Sequence, residues 1–357
     1  MTDRSFPDLW ARLAADRSPK VLYGTGNGAD KLLDVCAAKS IPISAVFASD
    51  GFVRSRTFRG FPVRSYADVC REYPDGFTVL LAFASTLDSV IANVEKIASE
   101  HPLLVPDLPV AGDILFDAAF ASAHSAELAQ AKDLFSDGRS REVFDLIAAS
   151  KLHGELNDLL GSADGISLPI AAGGKYFVDL GAYTGDTAAL AAENGTVPGI
   201  IASEPDRKSF AKLEKRCAEL KESGKISDVL LSDRAVWSES GKTLVFSAKA
   251  SRGSSREALG GKPTEVLTVT VDELCAGKEI GVIKYDVEGA EAEALLGSQK
   301  TIRRCRPKIA LSAYHRPEDL FLLPRMLKEI LPEYRLSLRR RRCLPAWETV
   351  IYAEADT

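Results

Sequence analysis

The chain has 357 residues, 46% of them apolar and 27% charged, with a net charge of −5. That length favours two domains, and the composition is that of an ordinary globular protein. The acidic balance gives no reason to expect nucleic acid or an anionic membrane as a partner, and no apolar run approaches the ~18–20 residues of a membrane span. The first residues, MTDRSFPDLWARLAADRS, carry charges throughout and lack a secretory core. Six scattered cysteines without a C-x-x-C pair read as reduced thiols. The expectation is a cytoplasmic protein, open to pairing as a homodimer.

Residues 1–110 read as a small Rossmann-like α/β unit. Strands are predicted at Lys20–Tyr23, near Ile43–Ala48 and Thr78–Phe83, and at Leu103–Val105, with a helix over Ala29–Ala38. The turn GTGNGA matches G-x-G-x-x-A through Gly24, Gly26 and Ala29, and Asp50 follows at roughly the distance of a ribose contact. Two readings attach to this unit. It could serve a nicotinamide-dependent oxidoreductase acting through the Gly24 turn, or be a binding or dimerisation module beside a separate enzyme. Residues 111–165 read as a helical connector. DAAFASAHSAELAQAKDLFSD is rich in helix formers, and REVFDLIAASKLHGELNDLL has an apolar face at Val143, Phe144, Leu146 and Ile147.

From 166 to 357 strands alternate with helices. Strands are predicted near 176–180, 199–203, 228–232, 243–247, 266–271, 281–286, 308–314, 334–338 and 348–353. The last two have no helix between them and read as an antiparallel hairpin closing a mostly parallel sheet. The loop Arg339–Arg342 between them reads as solvated, and the Ser/Gly-rich stretch Ser251–Gly261 as a substrate loop.

The segment Lys175–Thr187, KYFVDLGAYTGDT, is a strand, a glycine turn and the start of a helix, and the next strand ends in Glu204-Pro205-Asp206. This is the nucleotide-binding half of a doubly wound sheet. The glycine spacing is G-x-x-x-G, and Asp179 stands two residues before Gly181, where a carboxylate would repel a pyrophosphate. It would attract the ammonium and sulfonium of S-adenosyl-L-methionine (SAM). Glu204 can accept hydrogen bonds from both ribose hydroxyls. The candidate cofactor-binding residues are Asp179, Gly181, Tyr183, Gly185, Asp186, Thr187, Glu204, Asp206 and Asp233, the last beyond the third strand. Tyr183 and Trp237 are placed to stack on a ligand.

Ligands of an open α/β sheet collect at the carboxyl ends of its strands. GVIKY ends in Asp286-Val287-Glu288-Gly289, and KIALSAY ends in His315. As neighbouring strands they would turn Asp286 and His315 into one crevice. His315 has a reference pKa near neutral and suits the general base that an acceptor hydroxyl needs; Asp286 could orient it, hold the substrate or help bind a cation. Glu288 completes the candidate catalytic set. Glu288 and Glu291 also stand at a helix start, where acids are favoured whatever the function. Asp286, Glu288 and His315 offer ligands that suit Mg²⁺, but at no established spacing, so a divalent metal is left open.

The runs IKYDVEGAEAEALLGS, PKIALSAYHRPEDLFLLP and WETVIYA, in that order, resemble the FkbM family of SAM-dependent methyltransferases over ~175–353. The resemblance implies a class I Rossmann-like fold, SAM as donor and, usually, oxygen as acceptor. It implies Asp179, Gly181 and Gly185 around the methionine part of SAM and Glu204 at the ribose. Asp286, Glu288 and Glu291 match the family's acidic block, and His315 matches a histidine seen in part of the family. The expected activity is O-methylation of a hydroxyl on a sugar, glycan or secondary metabolite.

Overall fold

Apolar runs without alternation form the centre of both large sheets, as strands covered on two faces require. The computed structural model describes residues 7–49, 57–164, 171–194, 197–246 and 264–355. Asp50 and the stretch Ser251–Gly261 lie outside the described residues. The amino-terminal strands are β1 (Lys20–Tyr23), β2 (Ala45–Phe47), β3 (Thr57–Phe58), β4 (Phe61–Arg64), β5 (Thr78–Leu81) and β6 (Leu103–Leu104). They form one sheet in the order β3-β4-β2-β1-β5-β6, parallel except for the β3–β4 hairpin. Sequence periodicity misses that hairpin. It is very short, and Pro62 lies within it, so it reads as a turn rather than an edge strand.

The carboxy-terminal strands are β7 (Tyr176–Leu180), β8 (Gly199–Ser203), β9 (Asp228–Ser232), β10 (Ala235–Val236), β11 (Thr243–Phe246), β12 (Thr264–Val269), β13 (Ile280–Tyr285), β14 (Lys308–Ser312), β15 (Tyr334–Arg340) and β16 (Thr349–Ala355). Seven of them form a sheet in the order β15-β16-β14-β13-β7-β8-β9, and β15 and β16 make the expected antiparallel hairpin. The fold is mixed α/β and Rossmann-like. The strands expected near 243–247 and 266–271 leave this sheet: β11 and β12 pair with β10 in a separate three-stranded sheet. Their partial exposure, with Val245 at 66% and Leu267 at 48%, shows why alternation alone could not assign them to a layer.

The helices Ala118–Ala123, Ser125–Asp133, Gly138–His153 and Leu156–Gly161 lie between the two sheets in sequence. Phe135, Val143, Phe144 and Ile147 share a buried core with Leu336 and Leu338 of β15 on one side and with Val79 and Leu103 on the other. Lys151 and Asp107 form a buried ion pair at 2.7 Å along this seam.

Only the second half of the arginine run, Arg341 and Arg342, is exposed as expected. Arg339 and Arg340 are the last residues of β15, and Arg340 is buried. Its guanidinium donates to the carbonyls of Leu159 (2.8 Å) and Pro345 (3.0 Å), to the Cys343 carbonyl and to Ser162 Oγ (3.1 Å). Burial pulls its pKa down to about 10, so it remains a cation at neutral pH. Arg339 pairs with Asp137 at 3.2 Å, and Arg342 reaches Asp88 (3.3 Å) and Glu95 (3.1 Å) on the amino-terminal helix Asp88–Glu100. Beside them Ser85 and Leu344 exchange two backbone hydrogen bonds, of 2.8 and 3.0 Å. The run thus ties the two units together. Arg340→Met should lower unfolding free energy by about 2–4 kcal/mol, because several buried acceptors lose their donor. Urea unfolding reads this directly, and an unshifted midpoint would reject the role.

Candidate active site

Strand β7 enters the site through Asp179 and turns at Gly181. The Gly181 and Ala182 amides donate to the Ser203 carbonyl at 2.9 and 3.0 Å, which pins the turn to the end of β8. Gly181 has φ +74°, and a β-carbon there would overlap the carbonyl of Asp286 at the end of β13. No other residue fits, for conformational and steric reasons together. Tyr183 is left-handed (φ 48°) and 61% exposed, and its amide donates to Glu204 Oε2 at 2.8 Å. The other oxygen, Glu204 Oε1, accepts from the Asp206 amide at 2.8 Å. Burial raises the pKa of Glu204, and the two amides act against that rise. Glu204 therefore shapes the loop it would share with a ligand.

Asp179 is fully buried, and the structure gives it a partner the sequence does not suggest. Asp179 and Lys284 face each other in the β7–β13 register, with Lys284 Nζ 3.0 Å from Asp179 Oδ1 and 3.4 Å from the Gly181 carbonyl. Nζ also lies 3.8 Å from Asp286 Oδ2. Burial opposes the charge of Lys284, but Asp179 and Asp286 outweigh it and raise its pKa. The second oxygen, Asp179 Oδ2, has no hydrogen-bond partner among the described residues.

The adjacent pair β13–β14 carries the other half of the site. Asp286 accepts from Tyr314 Oη at 3.1 Å and lies 3.5 Å from His315 Nε2. Glu288 is left-handed (φ 55°), exposed, and 3.8 Å from the same nitrogen. Glu291 is buried; its oxygens accept from the amides of Val287 (2.9 Å) and Gly289 (3.0 Å), closing the DVEG loop. Glu291 Oε1 is also 2.9 Å from His315 Nδ1, but the ring N–H direction misses it, so the contact is charge against charge rather than an aligned hydrogen bond.

His315 is fully buried rather than open to the crevice. Burial alone would discharge it, but Glu291, Asp286 and Glu288 prevail and push its pKa up to about 9. At neutral pH the ring is an imidazolium with no lone pair to accept a proton. While it keeps that proton, His315 would position its carboxylate neighbours rather than act as the expected general base. Behind it, burial and the charge of Glu291 push Asp319 up to about 7. Glu291, His315 and Asp319 hold atoms within 4.8 Å of one another. The Glu291 and Asp319 oxygens already accept from backbone amides, so the cluster reads as a proton-sharing network.

Other expected residues fall in different places. Asp206 caps the helix Arg207–Glu222, accepting from the Ser209 amide at 2.8 Å. Asp186 and Thr187 open the helix Asp186–Asn194, Asp186 exposed and Thr187 half-buried. Asp233 is exposed just past β9. Trp237 is tied by its amide to Val269 (3.0 Å), and its carbonyl packs on Gly297, so its main chain serves packing. In the amino-terminal unit, Gly24 (φ +127°) packs on Phe83 and Gly28 on the Ala82 carbonyl, a close turn that its packing alone explains. Sequence reasoning missed Lys284, Tyr314 and Asp319. Lys284 could have been found as the lone charge in an otherwise apolar central strand.

Residues 179–340 match the model of the Methyltransferase FkbM domain. The carboxy-terminal unit is an FkbM methyltransferase domain. The chain is similar to a methyltransferase FkbM from Methylobacillus flagellatus KT, whose crystal structure aligns with a TM-score of 0.73 at 19% identity, over 97% of this chain and 92% of that one. The shared fold thus spans the amino-terminal unit as well. The fibrillarin of Aeropyrum pernix, in complex with SAM, has a TM-score of 0.30 at 13% identity, over 53% of this chain and 69% of that one, too remote to bear on the site. No curated protein matches the sequence. Among the described residues no helix is long and apolar enough to cross a membrane.

The folded pKa of His315 lies above its ordinary value of 6.5, so its charge stabilises the fold fully below pH 6.5 and progressively less as pH rises through about 9. His315→Gln should remove that component: the wild-type advantage in urea midpoint is largest near pH 6 and shrinks by pH 10. An imidazole NMR titration should show a midpoint near 9; a midpoint near 6.5 would overturn the assignment.

Proposed function

We propose that this FkbM domain is a SAM-dependent O-methyltransferase and that Asp286 is the group facing the acceptor hydroxyl. One observation carries the reading: Gly181 packs directly on the main chain of Asp286, so the donor-type turn and the acidic end of β13 share one wall. The residues present fit the donor. Asp179 offers a buried, unpartnered oxygen to positive charge, and Glu204 keeps lone pairs for ribose hydroxyls beyond the two amides it already holds. The first turn of the following helix carries Asp186, which disfavours a pyrophosphate. Bound there, SAM would supply an electrophilic methyl group.

The protein's residues then have separable tasks. Asp286 accepts a hydrogen bond from the acceptor hydroxyl and receives its proton as the oxygen takes the methyl group. Tyr314, Lys284 and protonated His315 hold Asp286 in place from three directions. Glu288 and Tyr183, both exposed on strained loop positions, border the acceptor. Alignment of the oxygen with the methyl group carries much of the barrier reduction. A hydroxyl on a sugar, glycan or other small molecule fits these carboxylates, which accept hydrogen bonds from neighbouring hydroxyls.

Calorimetry should show saturable SAM binding and none of NAD. Glu204→Ala should weaken SAM binding; unchanged affinity would remove it from the ribose site. Asp286→Asn should cut turnover by roughly 10²–10⁴-fold with SAM affinity nearly intact, the range for loss of a placed base. Full activity in that variant would remove Asp286 from the chemistry.

A further inference from the structure

We propose that Lys284 is a positioning residue for the methyl donor: it holds buried Asp179 ionised, and the ionised Asp179 carries much of the donor's affinity. The inference rests on the SAM reading above. Strand register places it. Lys284 stands opposite Asp179 across β7 and β13, so the pairing is fixed by backbone hydrogen bonding and not by side-chain choice.

Asp179 is fully buried, and a carboxylate without a counter-charge there would take up a proton rather than remain charged. The groups that face it come from three elements. Lys284 and Asp286 lie on and beyond β13, Asp186 opens the helix after the turn, and Cys217 projects from the helix Arg207–Glu222. Burial is the largest influence and raises the Asp179 pKa above its ordinary value; Lys284 pulls it back down, while Asp186 and Asp286 oppose its ionisation. Burial pushes the Cys217 thiol up to about 11, so it is neutral and supplies no charge. Lys284, at 3.0 Å, is the cation in this set, and its own pKa is raised by the two aspartates it touches. It uses one Asp179 oxygen and leaves Oδ2 without a partner. An ammonium or sulfonium presented to that oxygen meets a full negative charge only while Lys284 is in place. A protonated Asp179 would offer a neutral carboxyl instead.

The sign of the pH effect follows. Without Lys284 the pKa of Asp179 rises further, so donor binding is weak below that value and recovers above it. SAM affinity should be measured by calorimetry between about pH 6 and 9 as the ratio of variant to wild type, which cancels titration of the donor's own amine. Lys284→Met should bind about tenfold or more weakly at pH 7, each unit by which the Asp179 pKa then exceeds the pH being worth that factor, and recover as pH rises. Lys284→Arg should stay within a few-fold of wild type at every pH. Lys284→Met strands a buried charge, so the double variant Asp179→Asn/Lys284→Met is the control: it keeps the fold by circular dichroism and binds SAM weakly with no recovery at high pH. Tight, pH-independent binding by Lys284→Met, or wild-type affinity in the double variant, overturns the proposal while leaving the donor assignment standing. Absence of SAM binding by the wild type overturns the donor assignment itself, and this inference with it.

Discussion

The site depends on one steric constraint: the turn at Gly181 and the main chain of Asp286 lie closer than any β-carbon permits. That approach follows from β7 and β13 being hydrogen-bonded neighbours whose ends are tied by the Asp286 amide to the Leu180 carbonyl at 3.0 Å. With glycine there, the acidic loop after β13 can lie against the glycine turn after β7. With any other residue one of the two loops must move, and the groups they carry separate. The rest of the constellation is built onto this contact. Ser203 anchors the turn from one side, Glu204 holds its crest through Tyr183, and Glu291 ties the DVEG loop shut from beneath.

Around that contact the charges are arranged in pairs, because isolated charges cannot be buried cheaply. Lys284 answers Asp179 and Asp286; His315 answers Glu291, Asp286 and Glu288. Half-buried Lys284 and fully buried His315 thus both approach Asp286, at 3.8 and 3.5 Å. The arrangement explains why the pKa of the histidine is pushed up. A ring that must neutralise several carboxylates keeps its proton, and its value lies in fixing their positions. It also separates two kinds of acid in the same sequence block. Asp286 and Glu288 retain exposure, at 22% and 39%, while Glu291, four residues from Val287, is consumed by backbone amides.

Much of this was legible in the chain. The buried strands announce themselves as apolar runs, and the glycine turn after Asp179 follows from strand–turn–helix patterning, so the sheet and the glycine-turn half of the crevice could be drawn from sequence. Neighbouring β13 and β14 bring Asp286 to His315 as the usual winding predicts. What sequence could not supply was burial and register. His315 has a reference pKa near neutral, and only its enclosure with three carboxylates pushes that value up. Lys284 looks like a polar interruption of a strand, and only the pairing of β7 with β13 sets it on Asp179. Arg340 looks solvent-bound within a run of four arginines, and only the third dimension supplies its four acceptors.

The amino-terminal unit belongs to the same physical argument. Its connecting segment reaches the site directly: the Ala111 amide donates to the His315 carbonyl at 3.0 Å, and a β-carbon on Gly289 would strike Ala111. Arg316, beside His315, donates to the Gly289 carbonyl at 2.8 Å and closes the same corner. Lys31, on the helix Asn27–Ala38 that follows the Gly24 turn, donates to the carbonyls of Pro109 and Val110 at 3.1 and 3.2 Å and is close enough to feel the charge of Glu288. The helix that follows β1 therefore lies towards the acidic corner of the carboxy-terminal sheet, and the loop carrying Leu344 meets Ser85, just past β5. One buried core runs from Val21 through Phe144 to Leu311, so the covering of β15 and the enclosure of His315 both depend on residues upstream of the FkbM domain. A unit so placed acts on the site through packing and charge even where its own glycine turn binds nothing.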